Sequence, residues 1–246
     1  MLDKKGKRGF FFAITVLVIF PLLFFVIFYY KDKNRPTLET DKCLPIYGPK
    51  EAFPAKGRRG KELMDTLYFK VPSFSFTDQN GKVITDSIMH NNVTIVDFFF
   101  TTCPSICIDM AKNMHKVQQH FINDTNIVIL SHTVDPERDS VQQLFKYAVE
   151  NDVNSKIWHL LTGDKKDIYR QARNGYFIAA EQQGDGGSND FIHDQKFIII
   201  DKERRIRGYY DGTDDTQVEQ MIKDVEKLLV SYIVPMKKDK LSHSKK

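Results

Sequence analysis

The run Val93-Thr-Ile-Val-Asp-Phe-Phe-Phe100 is apolar apart from Thr94 and Asp97, and it passes through Thr101-Thr102 into Cys103-Pro-Ser-Ile-Cys107. Continuous rather than alternating hydrophobicity marks a strand buried on both faces. Pro104 suits the first turn of a helix, so a helix is predicted over about 104–123. Residues four apart then share one helical face, and both sulfurs can address a common object or each other. A helix N-terminus also favours thiolate, the form that binds soft metals or attacks disulfides.

The flanking patterns supply the rest of a fold. Phe74-Ser-Phe-Thr, a turn at Asn80-Gly81 and Lys82-Val-Ile-Thr form a hairpin signal. A strand over 126–132 follows the first helix. After the turn Asp135-Pro-Glu-Arg-Asp139, a helix is predicted over 140–151 with Asp139 as its N-cap. A strand over 156–161, a helix over 164–174, a strand pair 197–201 and 206–210, and a closing helix 213–232 complete the order. Alternating strands and helices ending in a hairpin define an α/β protein. A thioredoxin-like fold fits, with a central mixed sheet flanked by helices over residues 66–234. In open sheets sites gather beyond the carboxyl ends of the strands, where Cys103 lies.

The N-terminus places that domain. Phe10 to Tyr30 carries no charge, and its 21 residues match the roughly 20 that cross a bilayer as a helix. A cleaved signal has a shorter apolar region and a small-residue cleavage site, neither evident here. The expectation is an N-terminal transmembrane signal anchor at 10–30 behind a cytoplasmic stretch, 1–9. Lys4, Lys5, Lys7 and Arg8 favour an inside N-terminus. Residues 31–65, with Pro36, Pro45, Pro49, Pro54 and the basic Lys56-Gly-Arg-Arg-Gly run, read as an extended tether. The Lys- and Ser-rich stretch 235–246 reads as a disordered tail. A single-pass protein displayed on the non-cytoplasmic side meets an oxidising compartment, where neighbouring thiols such as Cys103 and Cys107 form a disulfide. Cys43, in the tether, has no obvious mate. The net charge is +4, with its basic residues at the two ends and no basic patch interleaved with aromatics, which argues against nucleic-acid binding.

Spacing separates the chemistries open to the thiol pair. Thioredoxin-type oxidoreductases use Cys-x-x-Cys; the third intervening residue here suits joint ligation of one ion without forbidding a disulfide. Zinc sites favour two such pairs, and no second pair exists. Two thiolates with an imidazole match copper, since soft sulfur favours Cu(I) and imidazole also takes Cu(II). His193 precedes the apolar strand at 197, after a Gly-rich loop over 184–188 that can carry it toward the cysteines, while His132 ends the strand beside the cysteine strand. Both stay open as the third ligand on position alone, as does a site with no histidine ligand. His115 and His120 lie too far along the helix, and His159 lies within a strand. Asp97, an acid inside an apolar strand, must be paired or have a raised pKa, which makes it a candidate proton handler beneath the thiols.

Three segments together bring a family into view: Phe98-Phe-Phe-Thr-Thr-Cys103-Pro-Ser-Ile-Cys107, Thr133-Val-Asp135-Pro-Glu-Arg-Asp139, and Asp190-Phe-Ile-His193 ahead of Phe197-Ile-Ile-Ile-Asp201. The chain resembles the Sco/SenC family of membrane-anchored, thioredoxin-like copper chaperones of cytochrome c oxidase assembly. The resemblance spans about residues 66–232 and the anchor. It implies a copper site of Cys103, Cys107 and His193, able to hold Cu(I) or Cu(II). The copper-bearing subunit of cytochrome c oxidase is then the acceptor, and a thioredoxin-like reductase keeps the pair reduced. The family usually has a small residue after the histidine, where this chain has Asp194, read here as a solvated turn residue. Asp135 to Asp139 read as local pairing and capping rather than metal ligation. The rival reading is a thiol-disulfide oxidoreductase acting on an exported or oxidase-subunit partner, with Cys103 attacking and Cys107 resolving.

Overall fold

A computed structural model of the chain describes residues 20–33, 44–56, 62–104, 106–178, 192 and 194–233. The chain divides into two units, 1–40 and 41–246. In the first, helix α1 spans Phe20–Lys33, and its Phe20, Leu22, Leu23, Phe24 and Phe25 side chains are exposed. Among the described residues no helix is long and apolar enough to cross a membrane. Residues 10–19 of the expected span lie outside the described residues, as do 1–9, Cys43 and the tail over 234–246.

The second unit is built on a mixed sheet of seven strands. In chain order these are β3 Ser75–Asp78, β4 Val83–Thr85, β5 Val93–Phe99, β6 Ile127–Thr133, β7 Trp158–Thr162, β8 Lys196–Ile200 and β9 Ile206–Asp211. The sheet runs β4-β3-β7-β6-β5-β8-β9. β5, β6 and β7 are parallel to one another, while β3, β4, β8 and β9 join antiparallel. All seven residues of β5 and of β6 are buried, as two-sided coverage requires. The α/β class and the thioredoxin-like order expected from the sequence are observed.

Strand periodicity divides the core. Val93, Ile95 and Phe99 of β5, Ile127 and Ile129 of β6, and Trp158 and Leu160 of β7 meet helices α2 (Ile106–Phe121), α3 (Val141–Glu150) and α5 (Asp215–Ile233). Cys107, Met110, Met114, Val117 and Phe121 recur every three to four residues along α2, so they form its inward stripe. Met114 and Leu144 are fully buried, each worth about 2 kcal/mol of transfer free energy. Val96 and Phe98 face the other way, toward Phe74, Phe76, Tyr176 and α4 (Lys165–Arg170), which continues as a π-helical turn over Gln171–Gly175.

The segment expected as an extended tether is structured where it is described. Strands β1 (Lys50–Lys56) and β2 (Glu62–Tyr68) pair antiparallel as a separate hairpin. Ahead of it, Tyr47 N–H donates to the Ile206 carbonyl at 2.9 Å, covering the open edge of β9. Arg207 donates from Nε to the Pro45 carbonyl at 3.0 Å and from Nη2 to the Leu44 carbonyl at 2.5 Å. Its Nη1 lies 2.9 Å from Asp201, itself fully buried. Backbone carbonyls and a buried guanidinium hold this stretch, so no apolar period announces it. Ile206 is level with Ile200, and Ile200 with Thr94. The chain therefore enters the domain at the amino end of β5, about 17 Å of strand away from Phe99.

Candidate metal centre

β5 ends at Phe99, and the chain turns tightly: Cys103 N–H donates to the Phe100 carbonyl at 3.3 Å. α2 then starts at Ile106, and the Cys107 N–H, in its first turn, donates to Cys103 Sγ at 3.4 Å. Both residues are thiols, 9% and 5% exposed, so the disulfide expected from the compartment is not formed in this state. The helix N-terminus does aim a backbone donor at sulfur, as the spacing predicts. Burial nevertheless outweighs it at Cys107: desolvation, and then the hydrogen bond with Cys103, push its thiol up to about 12. A metal ion that takes Cys107 as a thiolate must displace its proton.

Beneath Cys107 lies a cavity of about 10 Å³, near the smallest that holds one water. Asp97, Ser131, Tyr147, Trp158 and Met110 line it with Cys107. Asp97 is directly opposite Ser131 in the parallel pair β5–β6. Ser131 Oγ donates to Asp97 Oδ1 through a short hydrogen bond and accepts from Trp158 Nε1 at 2.7 Å. Burial raises the Asp97 carboxyl to about 7, the Ser131 hydrogen bond opposing it only in part. The acid that looked anomalous in an apolar strand is thus a buried, singly paired carboxyl that shares a cavity with Cys107. Burial, followed by the charges of Asp97 and Cys107, pushes the Tyr147 hydroxyl up as well. Ser131, Tyr147 and Trp158 were not singled out from the sequence; the matching registers of Asp97 and Ser131 are the one signal that points to them.

The histidines separate by face. His132, a rival third ligand, is excluded: its strand position puts it on the sheet face opposite the cysteines, fully buried against Phe74, Phe76, Phe98 and Tyr176. Desolvation lowers its pKa to about 3, so it stays neutral, with Nε2 3.4 Å from the Tyr176 hydroxyl and Nδ1 without a hydrogen-bond partner among the described residues. His159 Nδ1 lies 3.0 Å from Asp78 at the far side of β7, and His120 pairs with Glu226 at 2.8 Å. His193 and the glycine-rich loop lie outside the described residues. Its neighbour Asp194 accepts from Lys196 N–H at 2.9 Å and from Lys196 Nζ at 3.3 Å, a local turn contact, but its side chain is 10% exposed rather than solvated as expected. Among the described residues no group of three or more His, Cys, Asp and Glu side chains is gathered as a metal site.

The Asp135-Pro-Glu-Arg-Asp139 turn corrects one expectation. Ser140, not Asp139, caps α3, its hydroxyl accepting from Gln143 N–H at 3.3 Å. Asp139 is fully buried and turns back to the cysteine loop, accepting from Thr101 N–H at 3.2 Å and Thr101 Oγ1 at 2.5 Å. Thr133 Oγ1 donates to it through a short hydrogen bond. Asp135 pairs locally with Arg138 at 3.7 Å. The donor set fits a soft ion: two buried thiols within reach of one another, at the mouth of the sheet's carboxyl end, and an acid-lined cavity behind them.

One thiol in the loop after the first parallel strand of a mixed sheet, and a second in the first turn of the helix that packs over it, define a thioredoxin-like dithiol protein. Comparison with known proteins narrows this class. The SCO1/SenC family model matches residues 66–230. The chain belongs to the SCO1/SenC family. The SCO1 protein homolog of Bacillus subtilis is 28% identical over 168 residues, 68% of this chain and 86% of that protein. BsSco, a member of the Sco family of cytochrome c oxidase assembly proteins in which a disulfide switch is identified, superposes with a TM-score of 0.57. It shares 26% identity, over 66% of this chain and 94% of its own. ScoI of Arabidopsis thaliana, solved with copper bound, gives a TM-score of 0.51 and 26% identity over 64% of this chain and 99% of its own.

Proposed function

We propose that this protein is a copper carrier: Cys103 and Cys107 thiolates, joined by the His193 imidazole, take up one copper ion and surrender it by ligand exchange to an oxidase copper centre. The observation that carries the reading is the buried thiol pair at the carboxyl end of β5, Cys103 in the loop before α2 and Cys107 in its first turn. The sheet register supports His193 as the third ligand. β8 runs antiparallel to β5 with Ile198 opposite Val96, so Lys196, two residues earlier, begins the strand level with Phe98. The start of β8 is therefore at the same end of the sheet as Cys103, and His193 is three residues before it in the sequence. A copper-bound relative and a relative of the oxidase assembly class favour the same cargo and acceptor.

The chain's own residues divide the work. The two thiols give up their protons on binding, so apparent copper affinity rises with pH until the site is deprotonated. Only the dithiol form is competent, so a thioredoxin-like reductase must reopen the pair if it oxidises. The apolar stretch 10–30 anchors the protein, with residues 31–43 and the docked strap leading to the amino end of β5. The thiols are then presented at the opposite end of the sheet from the point of entry.

Copper titration of residues 44–233 tests the reading. Wild type is expected to bind one Cu(I) tightly, and one Cu(II) with thiolate-to-copper charge-transfer absorption. Cys103→Ser and Cys107→Ser should lose both. His193→Ala should lose the Cu(II) absorption while keeping its dithiol–disulfide chemistry. The oxidoreductase alternative, which uses the same two sulfurs, predicts full reductase activity in His193→Ala and no tight copper binding in wild type.

A further inference from the structure

We infer that Asp139 is a positioning residue for Cys103, and that it sets both the dithiol–disulfide equilibrium and the copper affinity of the pair. The inference rests on the copper reading only for its second half. Asp139 has no exposed surface, and all three of its side-chain donors, Thr101 N–H, Thr101 Oγ1 and Thr133 Oγ1, are neutral. Burying a carboxylate on neutral donors costs free energy that a helix cap on the surface would not. The cap role is filled by Ser140 instead.

What the carboxylate holds is the linker between strand and thiols. Thr101 stands two residues before Cys103, and the turn Cys103 N–H to Phe100 carbonyl spans it. Thr133 ends β6 and is opposite Phe99, so one carboxylate ties the start of the cysteine loop to the neighbouring strand. Thr133 Oγ1 also accepts from Asp135 N–H at 3.0 Å, and Asp139 N–H donates to the Asp135 carbonyl at 2.8 Å, which closes the turn on itself. Gln143 Nε2 reaches Thr101 Oγ1 at 3.4 Å from the first turn of α3. Cys107 is held separately, by the helix. The relation between the two sulfurs therefore depends on how firmly the loop before Cys103 is pinned.

The isosteric exchange Thr101→Val removes the hydroxyl donor and keeps the volume; Thr101→Ser keeps the donor. Each is equilibrated with a dithiothreitol redox buffer, in which the two thiols of the protein pass two electrons and two protons to oxidised dithiothreitol as their disulfide forms. Cu(I) affinity is measured in parallel by competition with a chromogenic chelator. Thr101→Val and Asp139→Asn are expected to shift the equilibrium constant by about tenfold, the effect of one lost hydrogen bond of about 1.4 kcal/mol. Thr101→Ser should stay within about twofold of wild type on the same basis. Folded Thr101→Val with both constants within that twofold margin overturns the inference, as does an equal shift in Thr101→Ser. If Asp139→Asn fails to fold, the Thr101 pair still decides. A wild type that binds no copper would sink the copper reading and leave the thiol equilibrium as the test.

Discussion

Arg207→Met should lower the stability of the domain by about 3 kcal/mol, the loss expected when one partner of a buried ion pair is removed. Arg207 is 5% exposed and Asp201 fully buried, with the guanidinium 2.9 Å from the carboxylate. The variant strands a buried charge and also frees the carbonyls of Leu44 and Pro45. Arg205 Nε, 2.7 Å from Asp201, keeps the carboxylate partly compensated, which places the figure at the low end of the range for such pairs. The surface pair Lys116–Asp215, equally short at 2.9 Å but with side chains 44% and 69% exposed, is the control: Lys116→Met should cost under about 1 kcal/mol. Urea denaturation of the three proteins measures both. Equal losses would show that the strap is not held by Arg207.

Two buried groups on opposite faces of the sheet give the second large effect, in pH dependence. Desolvation lowers His132 from 6.5 to about 3. Between those values the unfolded chain binds a proton that the folded one does not, so acid favours unfolding by about 1.4 kcal/mol per pH unit. Asp97 is raised by burial from 3.8 to about 7. Over that window the folded chain holds the extra proton, and acid favours folding with the same slope. From pH 3.8 to 6.5 the two contributions oppose each other. Asp97→Asn, which keeps an acceptor for Ser131, should expose the His132 slope. Relative to wild type it should lose about 3 kcal/mol between pH 6.5 and 4. His132→Leu should do the reverse and gain about 3 kcal/mol between pH 7 and 4. Differences from wild type cancel the other carboxylates. Variants whose profiles run parallel to wild type would refute the pairing.

Much of this protein is legible along the chain because its signals are local. The apolar run of β5, the thiols four residues apart and the three-to-four spacing of Met110, Met114 and Val117 each follow from the period of one element. The family resemblance rested on segments of the same kind, and the SCO1/SenC match bears it out. Side-chain partners across elements were less legible. Asp139 looked like a cap because caps are judged from the adjacent residues, yet Thr101, 38 positions away, competes for its carboxylate and wins. His132 looked available because it ends the predicted strand next to the cysteines, and the strand's two-residue alternation sends it to the other face.

The sequence alone determined a buried central strand that hands two thiols to a helix, and with it the fold class and the chemistry of soft-metal or disulfide exchange. Tertiary structure decided what surrounds those thiols: the Asp97–Ser131–Trp158 cavity, the Asp139 clamp, and the strap that Arg207 holds through Pro45 from 162 positions away. The physical reason is range. Periodicity and spacing are properties of a few consecutive residues, whereas a buried carboxylate or guanidinium takes whichever donor or carbonyl the packed sheet brings within about 3 Å.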